Sequence, residues 1–180
     1  MRDTEPISSY GLLADCNTAA LISRNGSIDW VCFPRYDSPS VFGRLLDPGA
    51  GHWTIRPASR SATDRRYESG TLVIATQFTS SQGVIRVVDA LAFDPGQRGH
   101  ELGLDAPHEI LRLVEGVRGD VDVAMSFCPR PEYGLSDPFM GRDAALSTNS
   151  SPPASPQLPP QKWDADAVAG WPVCTWSYLS

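Results

Sequence analysis

What most restricts the fold of this chain is a missing pattern. No run of ten residues repeats its apolar positions every three or four, as an amphipathic helix requires. Short alternating runs recur instead, separated by turn residues. "TAALIS" (Thr18 to Ser23) and "IDWVCF" (Ile28 to Phe33) flank Asn25-Gly26. That dipeptide tolerates positive φ at both central positions, so the segment predicts a β-hairpin.

The same grammar continues downstream. "TLVIATQFT" (Thr71 to Thr79) places Leu72, Ile74, Thr76 and Phe78 on one face. After a turn at Ser80 to Gly83, "VIRVVDALAF" (Val84 to Phe93) returns with Ile85, Val87, Asp89, Leu91 and Phe93 aligned. The acid at Asp89 breaks an otherwise apolar face. "HEILRLVEG" (His108 to Gly116) predicts a short strand, Val117-Arg118-Gly119 a turn, and "DVDVAMSFC" (Asp120 to Cys128) a further strand. In that last strand Val121, Val123, Met125 and Phe127 face inward and Asp122 outward, a register that a one-residue slip would ruin. Only Ser40 to Leu46, "SVFGRLL", has a helical look, ended by Pro48-Gly49. Hairpins with so little helix predict a mainly β fold, an antiparallel β-sandwich.

The character changes after about residue 142. Ala144 to Gln161 carries no charge and is dense in serine and proline, too little apolar surface to offset the entropy of ordering it. Beyond it come Trp163, Trp171 and Trp176 without periodicity, and Lys162, the only lysine of the chain. Two readings are open. One is a linker with a docking peptide. The other, which is preferred, is that these residues lie outside the original reading frame, since GC-rich codons read out of frame give proline, serine and alanine runs. The expected organisation is therefore a β-sandwich domain over residues 5–143 and a disordered or irregular tail over 144–180.

At 180 residues with 41 % apolar and 20 % charged content, the chain can build one domain with its own core. Net charge is −6 without a basic stripe, which argues against nucleic acid as a partner. No segment approaches the roughly 20 apolar residues that span a bilayer, and the N-terminus lacks a signal-peptide core, so a cytoplasmic location is expected. Cys16, Cys32, Cys128 and Cys174 form no C-x-x-C pair and are expected to stay reduced. His52, His100 and His108 lack metal-ligand spacing. Neither a nucleophile elbow nor a phosphate-binding glycine loop is present, and no cofactor is expected. Asp15, Asp29, Asp37 and Asp89 lie beside apolar strands, where a carboxylate either pairs with arginine, caps a turn, or is tuned for acid–base work.

The most specific stretch is "NGSIDWVCFPRYDSP", residues 25 to 39. Trp30 is expected in the core. The strand then stops at Pro34 and at once delivers Arg35, Tyr36 and Asp37. Arg35 and Asp37 can pair at a structural corner, or form a polar rim that meets a sugar or another domain. Trp30, Pro34, Arg35, Tyr36 and Asp37 are accordingly the candidate substrate-proximal or domain-docking residues.

These residues also carry a resemblance. "SYGLLADCNTAALISRNGSIDWVCFPRYDSPSVFGRLLD" is similar to the opening of the family 15 glycoside hydrolases, the bacterial glucoamylase and trehalase group. Asp15, Thr18 to Leu21, Gly26 to Trp30, Pro34, Arg35 and Asp37 to Pro39 match, with Tyr36 in place of the usual phenylalanine. "RRYESGTLVIATQF", "EILRLVEGVRGDVDV" and "CPRPEYG" extend the likeness to Gly134. It implies an N-terminal β-sandwich preceding an (α/α)6 barrel, whose two glutamates hydrolyse α-linked glucose with inversion across a gap of about 6.5–9.5 Å. The residues after Gly134 are too few for such a barrel, and neither glutamate has a counterpart, so no catalytic residue is carried over. The resemblance thus implies a truncated, non-catalytic portion of a glucoamylase or trehalase-like hydrolase, inactive alone, that meets an α-glucoside only with a barrel. The alternative is a stand-alone carbohydrate-binding or barrel-docking module. Without its barrel the sandwich is expected to expose an apolar face and to self-associate.

Overall fold

A computed structural model describes residues 5–94 and 96–136, together with the backbone of two short segments in the tail. The hairpin turn forms where Asn25-Gly26 stands. Gly26 has φ 72°, its N–H donates to the Ser23 carbonyl (3.1 Å), and its carbonyl accepts from Ile55 N–H (3.0 Å). A Cβ there would sit 2.3 Å from the Ile55 oxygen, so glycine is required by close approach as well as by φ.

That turn joins β2 (Ala19–Ile22) to β3 (Ser27–Cys32). The other strands are β1 (Gly11–Ala14), β4 (Ser40–Phe42), β5 (His52–Pro57), β6 (Ala62–Tyr67), β7 (Ile74–Thr79), β8 (Gly83–Leu91) and β9 (Glu109–Cys128). In the tail, β10 (Gln161–Asp164) and β11 (Val173–Ser177) pair with β9. The sheet order is β1-β2-β3-β5-β9-β8-β7-β6, with β4 beside β3, and every pairing is antiparallel.

The long strand β9 organises this sheet. Its first half pairs with β8 and its second half with β5. The turn expected at Val117-Arg118-Gly119 does not form. The strand runs through it, with Gly119 at φ 69° opposite Gly83 and a register shift nearby. A Cβ on Gly83 would meet the Arg118 oxygen at 2.2 Å, and one on Gly119 the Gln82 oxygen at 2.4 Å. This glycine pair lets two backbones approach closely at an irregular step, where local twist increases.

The sheet curls until its far edges meet. Tyr67 Oη on β6 accepts from Leu12 N–H (2.8 Å) and donates to the Leu12 carbonyl (3.2 Å), and Arg65 donates to the Ile22 carbonyl (2.9 Å). Between the two halves lies one core. Leu13, Ile22, Ile28, Val31, Phe42, Trp53 and Ile55 come from one side, and Ile74, Phe78, Ile85, Val87, Leu91, Ile110 and Val114 from the other. Each such side chain contributes about 1.5–3 kcal/mol by burial. The mainly antiparallel β fold expected from the hairpin pattern is the one observed. No helix among the described residues is long and apolar enough to cross a membrane.

Local expectations fail where tertiary pairing overrides pattern. Ser40–Leu46 is not helical: Val41 and Phe42 are buried in β4, with Phe42 paired to Val31. Seven residues are too few to repay helix nucleation, whereas a waiting strand edge offers ladder bonds at once. Leu72 and Phe93 lie outside their strands and are exposed. The Ser/Pro-rich stretch 144–160 lies outside the described residues. Within the tail, the two strands on β9 were not anticipated from sequence.

Candidate functional site

The corner that ends β3 is an exposed, tightly turned loop. Phe33 is buried, and its peptide bond to Pro34 is cis. Arg35 Nε donates to Asp37 Oδ1 at 3.0 Å, with both side chains largely in solvent. The Arg35 guanidinium holds the Asp37 carboxyl below the usual carboxylate range. Ser38 N–H donates to the Arg35 carbonyl, and Tyr36 N–H to the Asn17 carbonyl (2.9 Å). Tyr36 is 58 % exposed, yet partial burial and the nearby Asp15 and Cys16 push its phenol up.

Two further loops are stitched beneath this corner. Asp15 is fully buried, and its Oδ1 accepts from the N–H groups of Asn17 (2.9 Å) and Thr18 (2.7 Å). Its Oδ2 is buried without a hydrogen-bond partner. Asn17 Nδ2 donates to the Gly103 carbonyl, and Thr18 Oγ1 to the Cys32 carbonyl. Four of the five candidate residues, Pro34, Arg35, Tyr36 and Asp37, therefore share one loop at the end of the sandwich.

Trp30 does not join them, nor does it enter the core. It is half-buried on the outer face of β3, tilted against Tyr133 with ring centroids 6.5 Å apart. The cause is a bulge. Leu21 pairs with Trp30 but Ile22 pairs with Ile28, which leaves Asp29 as the extra residue. Ile28 and Val31, three apart, consequently both reach the core at 0 % exposure, and Trp30 is turned out.

The bulged Asp29 gathers a polar cluster that sequence reading missed. Its Oδ1 accepts from Ser27 Oγ (2.5 Å) and Arg44 Nε (2.9 Å), and its Oδ2 from Tyr10 Oη (2.9 Å). Thr54 Oγ1 donates to Ser27 Oγ (2.9 Å). Burial and the Asp29 carboxylate push the Tyr10 phenol up. On β5, His52 Nε2 lies 3.1 Å from Ser126 Oγ. Burial first, then Arg44, pulls the His52 pKa down to about 4, so the ring is neutral near pH 7.

A second unannounced element sits in the core. Arg112 of β9 is 0 % exposed. It donates to Asp89 Oδ1 (2.7 Å), the Trp53 carbonyl (2.7 Å) and the Gly26 carbonyl (2.9 Å), and lies 5.2 Å from the Trp53 ring centroid. Burial pushes the Asp89 carboxyl up, against the pull of Arg112. The signal was present: an acid on an apolar face needs a buried cation, and Arg112 shares its strand face with Ile110 and Val114.

All four acids singled out from sequence thus have structural partners: an Asx-type turn for Asp15, and arginine for Asp29, Asp37 and Asp89. Each of the three buried ones is tied into the fold through at least one carboxyl oxygen, while Oδ2 of Asp15 and of Asp89 is buried without a hydrogen-bond partner. Among the described residues no group of three or more histidine, cysteine, aspartate or glutamate side chains is placed to hold a metal ion.

Comparison with known proteins identifies what this scaffold is similar to. The family described as "Trehalase-like, N-terminal" matches residues 2–144. A trehalase of Mycolicibacterium smegmatis is 43 % identical over 138 residues, covering 71 % of this chain and 21 % of that protein. A trehalase of Mycobacterium tuberculosis is 37 % identical over 169 residues, covering 85 % of this chain and 25 % of the relative. Trehalase 1 of Sulfolobus acidocaldarius is 33 % identical over 132 residues, covering 73 % and 21 %. The chain therefore spans about a fifth to a quarter of these relatives' length. No solved structure gives a significant match. With the family matched across most of its residues, the chain belongs to the trehalase-like N-terminal domain family.

Proposed function

We propose that residues 5–143 are the non-catalytic N-terminal β domain of a trehalase or glucoamylase-type hydrolase of family 15, acting on α-glucosidic bonds with inversion. The acid and base come from a catalytic region outside these residues. The observation that carries this reading is the fate of the buried carboxylates. An acid–base pair needs one carboxyl free to hold a proton and another poised over water. Asp29 and Asp89 are instead bound to arginines and Asp15 is closed into a turn, and Asp15 and Asp89 are 0 % exposed, out of reach of a sugar. The domain supplies a rigid support, and the Pro34–Asp37 corner stands ready to border the mouth of the catalytic region. A cytoplasmic setting suits the free thiols of Cys16 and Cys32; burial pushes the Cys32 thiol up, which keeps it unreactive.

The test is direct. The purified chain is assayed on trehalose and maltose, and turnover by it alone overturns the reading. Residues 5–136 are then grafted in place of the matching N-terminal fifth of the M. smegmatis trehalase. Trehalose hydrolysis by the chimera supports a role as that enzyme's N-terminal domain. Tight trehalose binding by the isolated chain in calorimetry supports a carbohydrate-binding module instead.

A further inference from the structure

We propose that the outer face of the β1–β2–β3 half-sheet is the seat of the catalytic region that follows this domain in the trehalase relatives; the inference rests on the function just proposed and names the surface it needs. A single apolar row crosses the three strands. Leu12 pairs with Leu21, Leu21 pairs with Trp30, and Trp30 meets the Tyr133 ring. Partners in an antiparallel ladder point to the same side, so these four side chains share the face that turns away from the core. Adjacent strands lie about 4.8 Å apart, which makes the strand part of the row about 10 Å wide.

The face is unlike an ordinary solvent face. Leu12 is 41 % exposed and Tyr133 53 %, while Trp30 and Leu21 are half-buried beside them. Leu135, two residues past Tyr133, is 86 % exposed. Glu132 and Tyr133 both adopt positive φ (55° and 59°), a costly backbone for two successive non-glycine residues, and this conformation accompanies the ring's position against Trp30. Beside the row, the Asp29–Arg44 pair is held at 2.8 Å with its hydrogen bonds satisfied. An aromatic and aliphatic centre with an arginine at its border is the composition of a protein–protein contact.

Two facts identify the occupant. The relatives are four to five times as long as the matched part, so each has a large remainder to pack somewhere. In this chain β9 delivers its C-terminal end, through Pro131 and Tyr133, onto this same face. The segment that follows in the relatives therefore starts beside the row, and the shortest connection places it there.

The experiment uses the chimera with a photoreactive benzoyl-phenylalanine at position 133, at position 12, or at Gln77 on the exposed side of β7. Both row sites are already part-exposed, so the probe does not threaten folding. Cross-linked peptides are read by mass, with or without turnover. Cross-links from 133 and 12 to the catalytic region, none from 77, and at least a ten-fold loss of cross-linking on Leu21→Arg support the proposal. Cross-links to a second copy, to nothing, or from position 77 alone overturn it. A chimera that cross-links as expected but hydrolyses no trehalose counts against the proposed function and leaves the docking face standing.

Discussion

Two arginine–aspartate pairs of nearly equal geometry sit at opposite extremes of this molecule. Arg112 Nε lies 2.7 Å from Asp89 with both side chains 0 % exposed; Arg35 Nε lies 3.0 Å from Asp37 with side chains 72 % and 75 % exposed. Distance does not separate them; solvent does. In the core neither charge has water to fall back on, so removing one strands the other. At the corner, water and salt screen the attraction and will solvate either partner alone. Arg44 and Asp29, at 29 % and 6 %, stand between. A short ion pair marks architecture in one place and leaves a surface free to be used in another.

The sharpest way to break this comparison is Arg112→Ala. It leaves Asp89 buried and two carbonyls without their donor, and a loss of about 3–5 kcal/mol in urea unfolding is expected. Arg112→Met combined with Asp89→Leu should recover most of that loss, because no charge is then left in the core; a double variant no better than the single one would mean that the carbonyl bonds of Arg112 dominate. Asp29→Ala comes next, at about 1–3 kcal/mol, since Ser27, Tyr10 and Arg44 each lose an acceptor.

A smaller effect appears on acidification. His52 titrates near 4 in the fold against 6.5 in the unfolded chain, so between those values the unfolded state binds more protons. Stability conferred by the neutral ring is complete above pH 6.5 and is lost as pH falls toward 4. The loss is on the order of 1 kcal/mol after allowance for partial exposure. Urea midpoints of the native chain and of His52→Gln, compared at pH 7, 6 and 5, isolate this contribution because other groups cancel in the difference; parallel curves would rule it out. The smallest stability effect belongs to the corner. Arg35→Ala and Asp37→Ala should leave the melting temperature unmoved, while in the chimera they should lower trehalose turnover. Unchanged turnover would reduce the corner to a loop.

Much of this was legible in the residues. Asn25-Gly26 turned where expected, the alternation of Ile85, Val87, Asp89 and Leu91 named a buried face, and Asp122 pointed outward between Val121 and Val123. Strands β1, β5 and β6 were not read. The first is four residues long, and β6, "ATDRRY", is a polar edge strand whose pattern resembles a loop. Trp30 was misplaced because period-two counting assumes an unbroken ladder, and the bulge at Asp29 breaks it. The turn expected at Val117-Arg118-Gly119 was read from local preference, although the same glycine also serves an irregular step within a strand.

The mainly β fold, the hairpins and the family follow from the order of residues alone, because turn chemistry and alternation act between near neighbours. Which buried acids meet which arginines, which face Trp30 occupies, and the joining of both halves of the sheet by β9 emerge only in the folded chain. Those outcomes depend on groups separated by 23, 15 or 59 positions in the chain, such as Arg112 with Asp89, Arg44 with Asp29, and Arg112 with the Trp53 carbonyl. Such pairs are chosen by desolvation inside a closed core, and no local pattern records them.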